Sequence, residues 1–110
     1  MSAEADQALA ERVTEALRIV IDPELGCNIV DLGLIYCVAV GGGSARVLMT
    51  TTTLGCPATT FLKDGAREAA AGVSGINEVD VMLTYDPPWT SEMMTPSARD
   101  YLGIANGASW

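Results

Sequence analysis

Histidine is absent from this chain of 110 residues, and its absence removes several kinds of catalytic site. Without it there is no imidazole general base, no neutral imidazole ligand for a metal ion and no Ser–His or Cys–His nucleophile pair. A nucleophilic thiol would need a carboxylate or a lysine as its base, which is an uncommon arrangement. We therefore expect a protein without a turnover reaction, and a cysteine-nucleophile enzyme is the lesser alternative.

Cysteine is also scarce. Cys27, Cys37 and Cys56 are the only three, and no two of them form a C-x-x-C pair. An odd count at these spacings does not indicate a disulfide framework. Three thiolates are too few to close a four-ligand zinc or iron–sulfur site, so a carboxylate, a second subunit or a partner would have to complete one. The sequence predicts no permanently bound cofactor.

Basic residues are few, since six Lys and Arg stand against fourteen Asp and Glu and give a formal net charge of −8. Such a surface repels phosphate backbones, so we expect no nucleic-acid partner, whereas a protein with a basic face is compatible with it. No apolar run approaches the ~18 residues of a membrane span. The acidic N-terminal residues also lack the basic and apolar regions of a secretory signal. We expect a cytoplasmic protein without a membrane partner.

The apolar residues that are present predict one domain over residues 1–110. Helical spacing of apolar side chains predicts helices, and short apolar or alternating runs predict strands. The predicted elements are a helix over Glu4–Val20, strands over Leu34–Val40 and Ala45–Thr52 joined by a Gly41–Ser44 loop, a helix over Pro57–Ala71, a strand over Val79–Tyr85 and a short helix between Thr95 and Gly103.

This order predicts an α/β (α+β) fold, a compact two-layer sandwich of helix–strand–strand–helix–strand plus a short C-terminal helix. The helices are expected on one face of a three-stranded sheet, with Phe61 on the apolar side of the second helix. The third strand alternates between apolar and polar residues, which predicts one covered face and one open face. Because an open face would gain from dimerisation, we expect a homodimer.

Cys56 follows Gly55 and precedes Pro57, where the second strand is predicted to end and the second helix to begin. Pro57 suits the first helical position, and Gly55 lets the backbone turn sharply and a partner approach closely. A thiol there would face backbone N–H groups and the positive end of the helix dipole, so its pKa should fall below the free value of about 8.5. Cys56 is either a reactive thiol, with Thr53 beside it, or a small buried residue that fills a corner.

Three carboxylates, Asp22, Glu24 and Asp31, lie in a loop that is too rich in proline and glycine for regular structure. One interpretation is a tight connection in which Asp22 and Asp31 accept hydrogen bonds from nearby backbone N–H groups. The other is that a carboxylate reaches the start of the second helix. There its charge would raise the pKa of the thiol, or its oxygens would position a proton or a metal ion.

Trp89 follows two prolines at the end of the third strand. It is either a plug in the core or an exposed binding aromatic, and Met93 nearby suits an adaptable contact surface. Both residues are therefore candidates for partner binding. Cys27 is predicted to be exposed because it lies in a loop, and Cys37 is predicted to be buried and inert because it lies in an apolar strand.

Several motifs together resemble those of a known family. They are Asp22-Pro23-Glu24, Asn28-Ile29-Val30-Asp31-Leu32-Gly33-Leu34, Thr52-Thr53-Leu54-Gly55-Cys56-Pro57, Asp86-Pro87-Pro88-Trp89, Ser97-Ala98-Arg99 and Leu102-Gly103. The chain resembles the SufT/PaaD-like family of small metal–sulfur (iron–sulfur) cluster assembly factors, whose eukaryotic relatives target iron–sulfur clusters to cytosolic apoproteins. The resemblance covers nearly the whole chain after the first few residues.

The resemblance implies an α/β fold, usually dimeric, and a role in maturing or delivering iron–sulfur clusters. The family's functional cysteine corresponds to Cys56, with Asp22, Glu24 and Thr53 as its neighbours, whereas Cys27 matches no motif position. The implied partners are the iron–sulfur assembly machinery and client apoproteins. The implied cofactor is at most a transient iron–sulfur cluster or iron held by the thiolate.

PaaD-type members often carry a cysteine-rich C-terminal extension, and this chain ends at Trp110 without one. That departure favours the standalone SufT-like branch and weakens a role specific to phenylacetate degradation. The alternative is a protein–protein adapter for a multicomponent oxygenase of that type, in which Cys56 is only structural.

Overall fold

The computed structural model describes residues 3–52 and 58–103 of the chain. Its helices and strands are α1 Ala3–Ala16, continued by a 3₁₀ turn Leu17–Ile19, then β1 Ile35–Gly41, β2 Ser44–Met49, α2 Thr59–Ala71, β3 Glu78–Leu83, a 3₁₀ turn Ser91–Met93 and α3 Pro96–Leu102. This order and the three-stranded sheet confirm the predicted α+β fold. No helix in the described ranges is long and apolar enough to cross a membrane.

The three strands lie in the order β1-β2-β3, with β2 in the middle. β1 and β2 are antiparallel, and the two residues between them, Gly42 and Gly43, have φ angles of 60° and 81°. Positive φ at both central positions is typical of a type I′ hairpin turn, which glycine adopts without steric cost. β2 and β3 are parallel, so the chain must cross back over the sheet between them, and α2 makes that crossing.

The sheet has one covered face and one open face. Val38, Val47 and Val81 are aligned across the three strands on the covered face. Cys37 and Met82, which lie beside Leu48 in the next row, point to the open face and are exposed. The alternation that the sequence predicted for the third strand is thereby confirmed.

Both long helices pack on the covered face, α1 over β1 and α2 over β3. Val13 and Leu17 from the first helical segment and Leu62 and Ala66 from α2 have no exposed surface. These positions recur at the three- and four-residue spacing of a helix face, which is why the two helices bury one stripe each. The core therefore lies between this helical layer and the sheet.

Several predicted details are wrong. α1 ends at Ala16 rather than Val20, because the chain tightens into the 3₁₀ turn and the Val20 carbonyl accepts the N–H of Ile29 at 3.0 Å. α2 begins at Thr59 rather than at Pro57. Phe61 is 60% exposed, since the buried stripe of α2 starts one residue later at Leu62.

The C-terminal segment is held against the loop that precedes β1. The Trp89 indole N–H donates to the Leu32 carbonyl at 2.7 Å, and the Thr95 N–H donates to the Asp31 carbonyl at 2.8 Å. The residue after these two acceptors is Gly33, whose φ is 79° and where an added Cβ would stand 2.3 Å from the Met93 carbonyl oxygen. The close approach of the two backbones therefore requires glycine at this position.

We expect Gly33→Ala to lower the free energy of unfolding by about 2 kcal/mol or more, because it adds both a backbone clash and a strained φ. Chemical denaturation measures this. Gly41→Ala is the matched control, since a Cβ there meets nothing within 4 Å and its φ is not positive. Equal loss of stability in the two variants would contradict the expectation.

Candidate functional site

Several segments that contain the sequence motifs lie at one edge of the sheet, where the strands β2 and β3 end. Because β2 and β3 are parallel, their carboxyl ends meet there, and the amino end of the antiparallel β1 lies beside them. Crevices outside the carboxyl ends of parallel strands are common ligand sites in α/β proteins. Residues 53–57 connect Thr52, which follows β2, to Ala58 at the start of α2. Thr52, the last described residue before them, follows β2 at this edge.

The predicted thiol lies in that connection. Cys56, together with its predicted neighbours Thr53, Gly55 and Pro57, falls outside the described residues. Its role, and theirs, therefore stay predictions.

Threonines anchor the strand side of this connection. Thr50 and Thr51 are 0% and 2% exposed. The Thr50 N–H donates to the Leu34 carbonyl at 2.8 Å, and the Thr51 hydroxyl lies 3.0 Å from the Tyr85 hydroxyl. These bonds tie the end of β2 to both neighbouring strand ends. Thr50 and Thr51 therefore fix the backbone that immediately precedes the connection to α2.

The Asp22 carboxylate accepts hydrogen bonds from the backbone of its own loop. Asp22 is 2% exposed, and its Oδ1 accepts the backbone N–H groups of Glu24 at 2.8 Å and Leu25 at 3.2 Å. Its own N–H donates to the Cys27 carbonyl at 2.9 Å, and its carbonyl accepts the Gly26 N–H at 2.7 Å. This is the backbone-satisfying turn that the first interpretation predicted. Glu24 is exposed on the same turn. Whether either carboxylate meets the thiol stays a prediction.

Asp31 joins three parts of the chain. Its Oδ1 accepts from the Arg18 guanidinium at 2.6 Å, and its Oδ2 accepts from the Asn28 side-chain amide at 2.9 Å. The Asp31 N–H in turn donates to the Asn28 side-chain oxygen at 2.9 Å. Burial raises the pKa of Asp31, but the hydrogen bonds from Asn28 and Arg18, with a further one from Thr95, outweigh it and hold the pKa below its usual value.

The donors to Asp31 differ from those predicted. The sequence indicated backbone N–H groups, whereas the structure supplies the side chains of Asn28 and Arg18. Arg18 was missed because a contact thirteen residues away leaves no periodic signal in the sequence. The Asn28 contact, three residues away, has the spacing of a local turn and could have been found.

Met93 borders an open groove of about 600 Å³ beside this edge. The groove is lined by Gly33, Ile35, Tyr36, Leu48, Asp86, Pro87 and Met93. The Tyr36 hydroxyl donates to the Pro87 carbonyl at 2.7 Å and lies 3.6 Å from the Met93 sulfur. Trp89 is half-buried, packs against the core and has its indole N–H bound. Tyr36 was missed, since the sequence pattern counted it only as a strand residue.

Both exposure predictions for the other cysteines are wrong. Cys27 is 8% exposed, because its loop folds back over α3, and burial raises the pKa of its thiol. Cys37 is exposed, because β1 is an edge strand and this side chain lies on the open face. In residues 3–52 and 58–103, no three acidic or cysteine side chains are placed to hold a metal ion.

We expect Cys37 to be alkylated by iodoacetamide at least about tenfold faster than Cys27 on the folded protein, because only exposed thiolates react readily. The Cys27 rate should keep rising at a pH above that at which an ordinary thiol levels off, since its pKa is raised. Peptide mass spectrometry separates the two sites, and labelling after unfolding is the control. Rapid labelling of Cys27 in the folded state would contradict this.

Asp31→Asn should lower the free energy of unfolding at pH 7 by about 1 kcal/mol, through loss of charged hydrogen bonds to Arg18 and Asn28. Because the folded pKa is lowered, the wild-type advantage is present above the unfolded value of about 3.9 and is lost as pH falls through the folded value. Denaturation between pH 7 and pH 3 measures it, with the exposed Asp80→Asn as control. A difference between wild type and variant that does not change with pH would refute this account.

Comparisons with known proteins agree with this arrangement. The profile of the iron–sulfur cluster assembly protein family matches residues 10–82. The Fe-S protein maturation auxiliary factor YitW of Bacillus subtilis is 38% identical over 90% of this chain and 98% of its own. The Fe-S protein maturation auxiliary factor SufT of Staphylococcus aureus is 41% identical over 79% of this chain and its whole length.

A solved structure shares the fold. The crystal structure of a domain of unknown function, DUF59, from Bacillus anthracis superposes with a TM-score of 0.90 at 35% identity and covers 94% of this chain and all of that one. The SufT/PaaD-like resemblance carried by the motifs is thereby confirmed. The chain belongs to the iron–sulfur cluster assembly protein family.

Proposed function

We propose that this protein is an accessory factor in the assembly of iron–sulfur clusters or in their delivery to client apoproteins. The observation that carries the proposal is the family match over residues 10–82, together with two relatives named as Fe-S protein maturation auxiliary factors. That match includes Cys56. Its partners are then the iron–sulfur assembly machinery and the apoproteins that receive clusters, and it has no turnover reaction of its own.

Cys56 acts in this proposal as a transient ligand or docking group. Its connection runs from the buried threonines at the end of β2 to α2, whose N-cap residue Ala58 has no side-chain acceptor. The positive end of the α2 dipole favours an anion near that terminus, which supports a thiolate there. Carboxylate oxygens of Asp22 and Asp31 already accept hydrogen bonds within their own loop. We therefore propose that the further ligands of a cluster come from a partner or a second subunit.

A single thiol without a complete ligand set suits temporary holding of an iron–sulfur cluster better than permanent binding. A homodimer would bring two Cys56 thiolates into one assembly, and we propose that state in the cytoplasm. The formal net charge of −8 is consistent with protein partners that present a basic face.

Cys56→Ser should reduce the activity of iron–sulfur enzymes by at least about tenfold in cells that depend on this protein, because loss of even an outer-shell partner of a metal ligand weakens metal binding by that order. The melting temperature of the purified variant should not change. Enzyme activity in lysates and calorimetry measure the two. Cys37→Ser is the matched control, since it removes an exposed thiol elsewhere on the fold.

Normal iron–sulfur enzyme activity with Cys56→Ser would contradict the thiol's role and favour a pure interaction module with Trp89 and Met93 on its surface. Anaerobic reconstitution followed by absorbance and gel filtration tests cluster binding directly. A signal that is lost from Cys56→Ser but kept by Cys37→Ser supports the transient ligand. The same column reports whether the protein is a dimer.

A further inference from the structure

The two outer strands of the sheet differ in how well they are protected against pairing with other chains. β3 carries Glu78 and Asp80, and charged residues are a common device that keeps an edge strand from pairing with other chains. β1 has neither a charge nor a proline over Ile35–Gly41. Its one irregularity, between Ile35 and Cys37, leaves the remainder of the strand regular. In the described part of the chain, no strand covers its outer edge.

Val38 and Val40 present the backbone groups of that edge. In a hairpin closed by a two-residue turn, Gly41 and Ser44 exchange hydrogen bonds, and the pairs then alternate along the ladder. Val38 and Val40 therefore occupy the positions whose N–H and C=O groups point away from β2. An added strand would pair with these four groups.

A groove of about 370 Å³ runs beside Val38, along α1. Its lining residues are Gln7, Ala10, Glu11, Thr14, Glu15 and Val38. Glu15 has an ion pair of 3.2 Å with Arg18, but its side chain is 74% exposed, and no basic side chain lines the groove itself. Side chains on the helix side of an added strand would enter this groove and meet the carboxylates.

We propose that the outer edge of β1 binds an extended segment of a partner protein that carries lysine or arginine at alternate positions. The segment adds a fourth strand through the backbone groups of Val38 and Val40. Its basic side chains lie beside Glu11 and Glu15, and its other side chains lie beside Cys37 and Ala39 on the open face. This surface is built from residues of α1 and β1, so the proposal does not depend on the role of Cys56.

A second copy of this chain is a poorer occupant of the edge. Antiparallel pairing of two β1 strands would place both α1 helices on the same face, with Glu11 and Glu15 of each copy in the shared groove. A basic strand satisfies the same backbone groups and neutralises the carboxylates.

The probe is a nine-residue peptide with lysine and threonine alternating, bound to the full chain and followed by amide hydrogen exchange and fluorescence anisotropy. We expect the Val38 and Val40 amides to gain at least about tenfold protection. The double variant E11Q/E15Q should weaken binding about fivefold. D64N/E68Q removes the same charge from the exposed side of α2 and should leave binding nearly unchanged.

Two peptide controls separate strand pairing from charge attraction alone. Replacement of the threonines by proline prevents pairing and should abolish the protection, and replacement of the lysines by serine should weaken binding as E11Q/E15Q does. Binding without protection of Val38 and Val40, or equal binding of the proline peptide, would overturn the proposal. Protection of the same amides in a dimer formed without peptide would instead assign the edge to a second copy.

Discussion

The contact between Gly33 and the backbone of Met93 holds the candidate site together. It lets the C-terminal segment lie directly on the loop before β1, where Trp89 and Thr95 donate to the carbonyls of the two residues that precede Gly33. The groove of about 600 Å³ is therefore lined by residues that lie far apart in the sequence, such as Gly33 and Met93. Two of the motifs that carry the family resemblance meet at this contact, since Gly33 belongs to the Asn28–Leu34 run and Trp89, which donates to Leu32, belongs to the Asp86–Trp89 run.

Elements whose signals are local could be predicted from the sequence. The hairpin follows from its glycines, the third strand from its alternation, and α2 from apolar spacing, and all three elements form, although α2 begins two residues later than expected. The errors arose where tertiary position decides. Cys37 lies in an apolar run but is exposed because β1 is outermost, and Cys27 lies in a loop but is buried because that loop folds back over α3. Burial depends on neighbours that periodicity does not identify.

The carboxylates show the same limit at the site. The sequence singled out Asp22 and Asp31 as candidate neighbours of the thiol, and in the structure both carboxylates accept hydrogen bonds from groups of their own loop. The partner of Asp31 that mattered, Arg18, has no spacing signal. Residue type alone thus indicated which carboxylates to consider, whereas their hydrogen-bond partners could be identified only from the structure. The thiol is different, because its expected chemistry comes from the family and from the strand-to-helix connection.

The parallel pairing of β3 with β2 has a consequence for synthesis of the chain. The β1–β2 hairpin can close as soon as residue 49 is available, since its contacts are local. The edge of β2 that pairs with β3 then stays without a partner strand until the crossover and all of β3 have been synthesised. During that interval the central strand, rather than the finished outer ones, is the part of the chain most open to unwanted association.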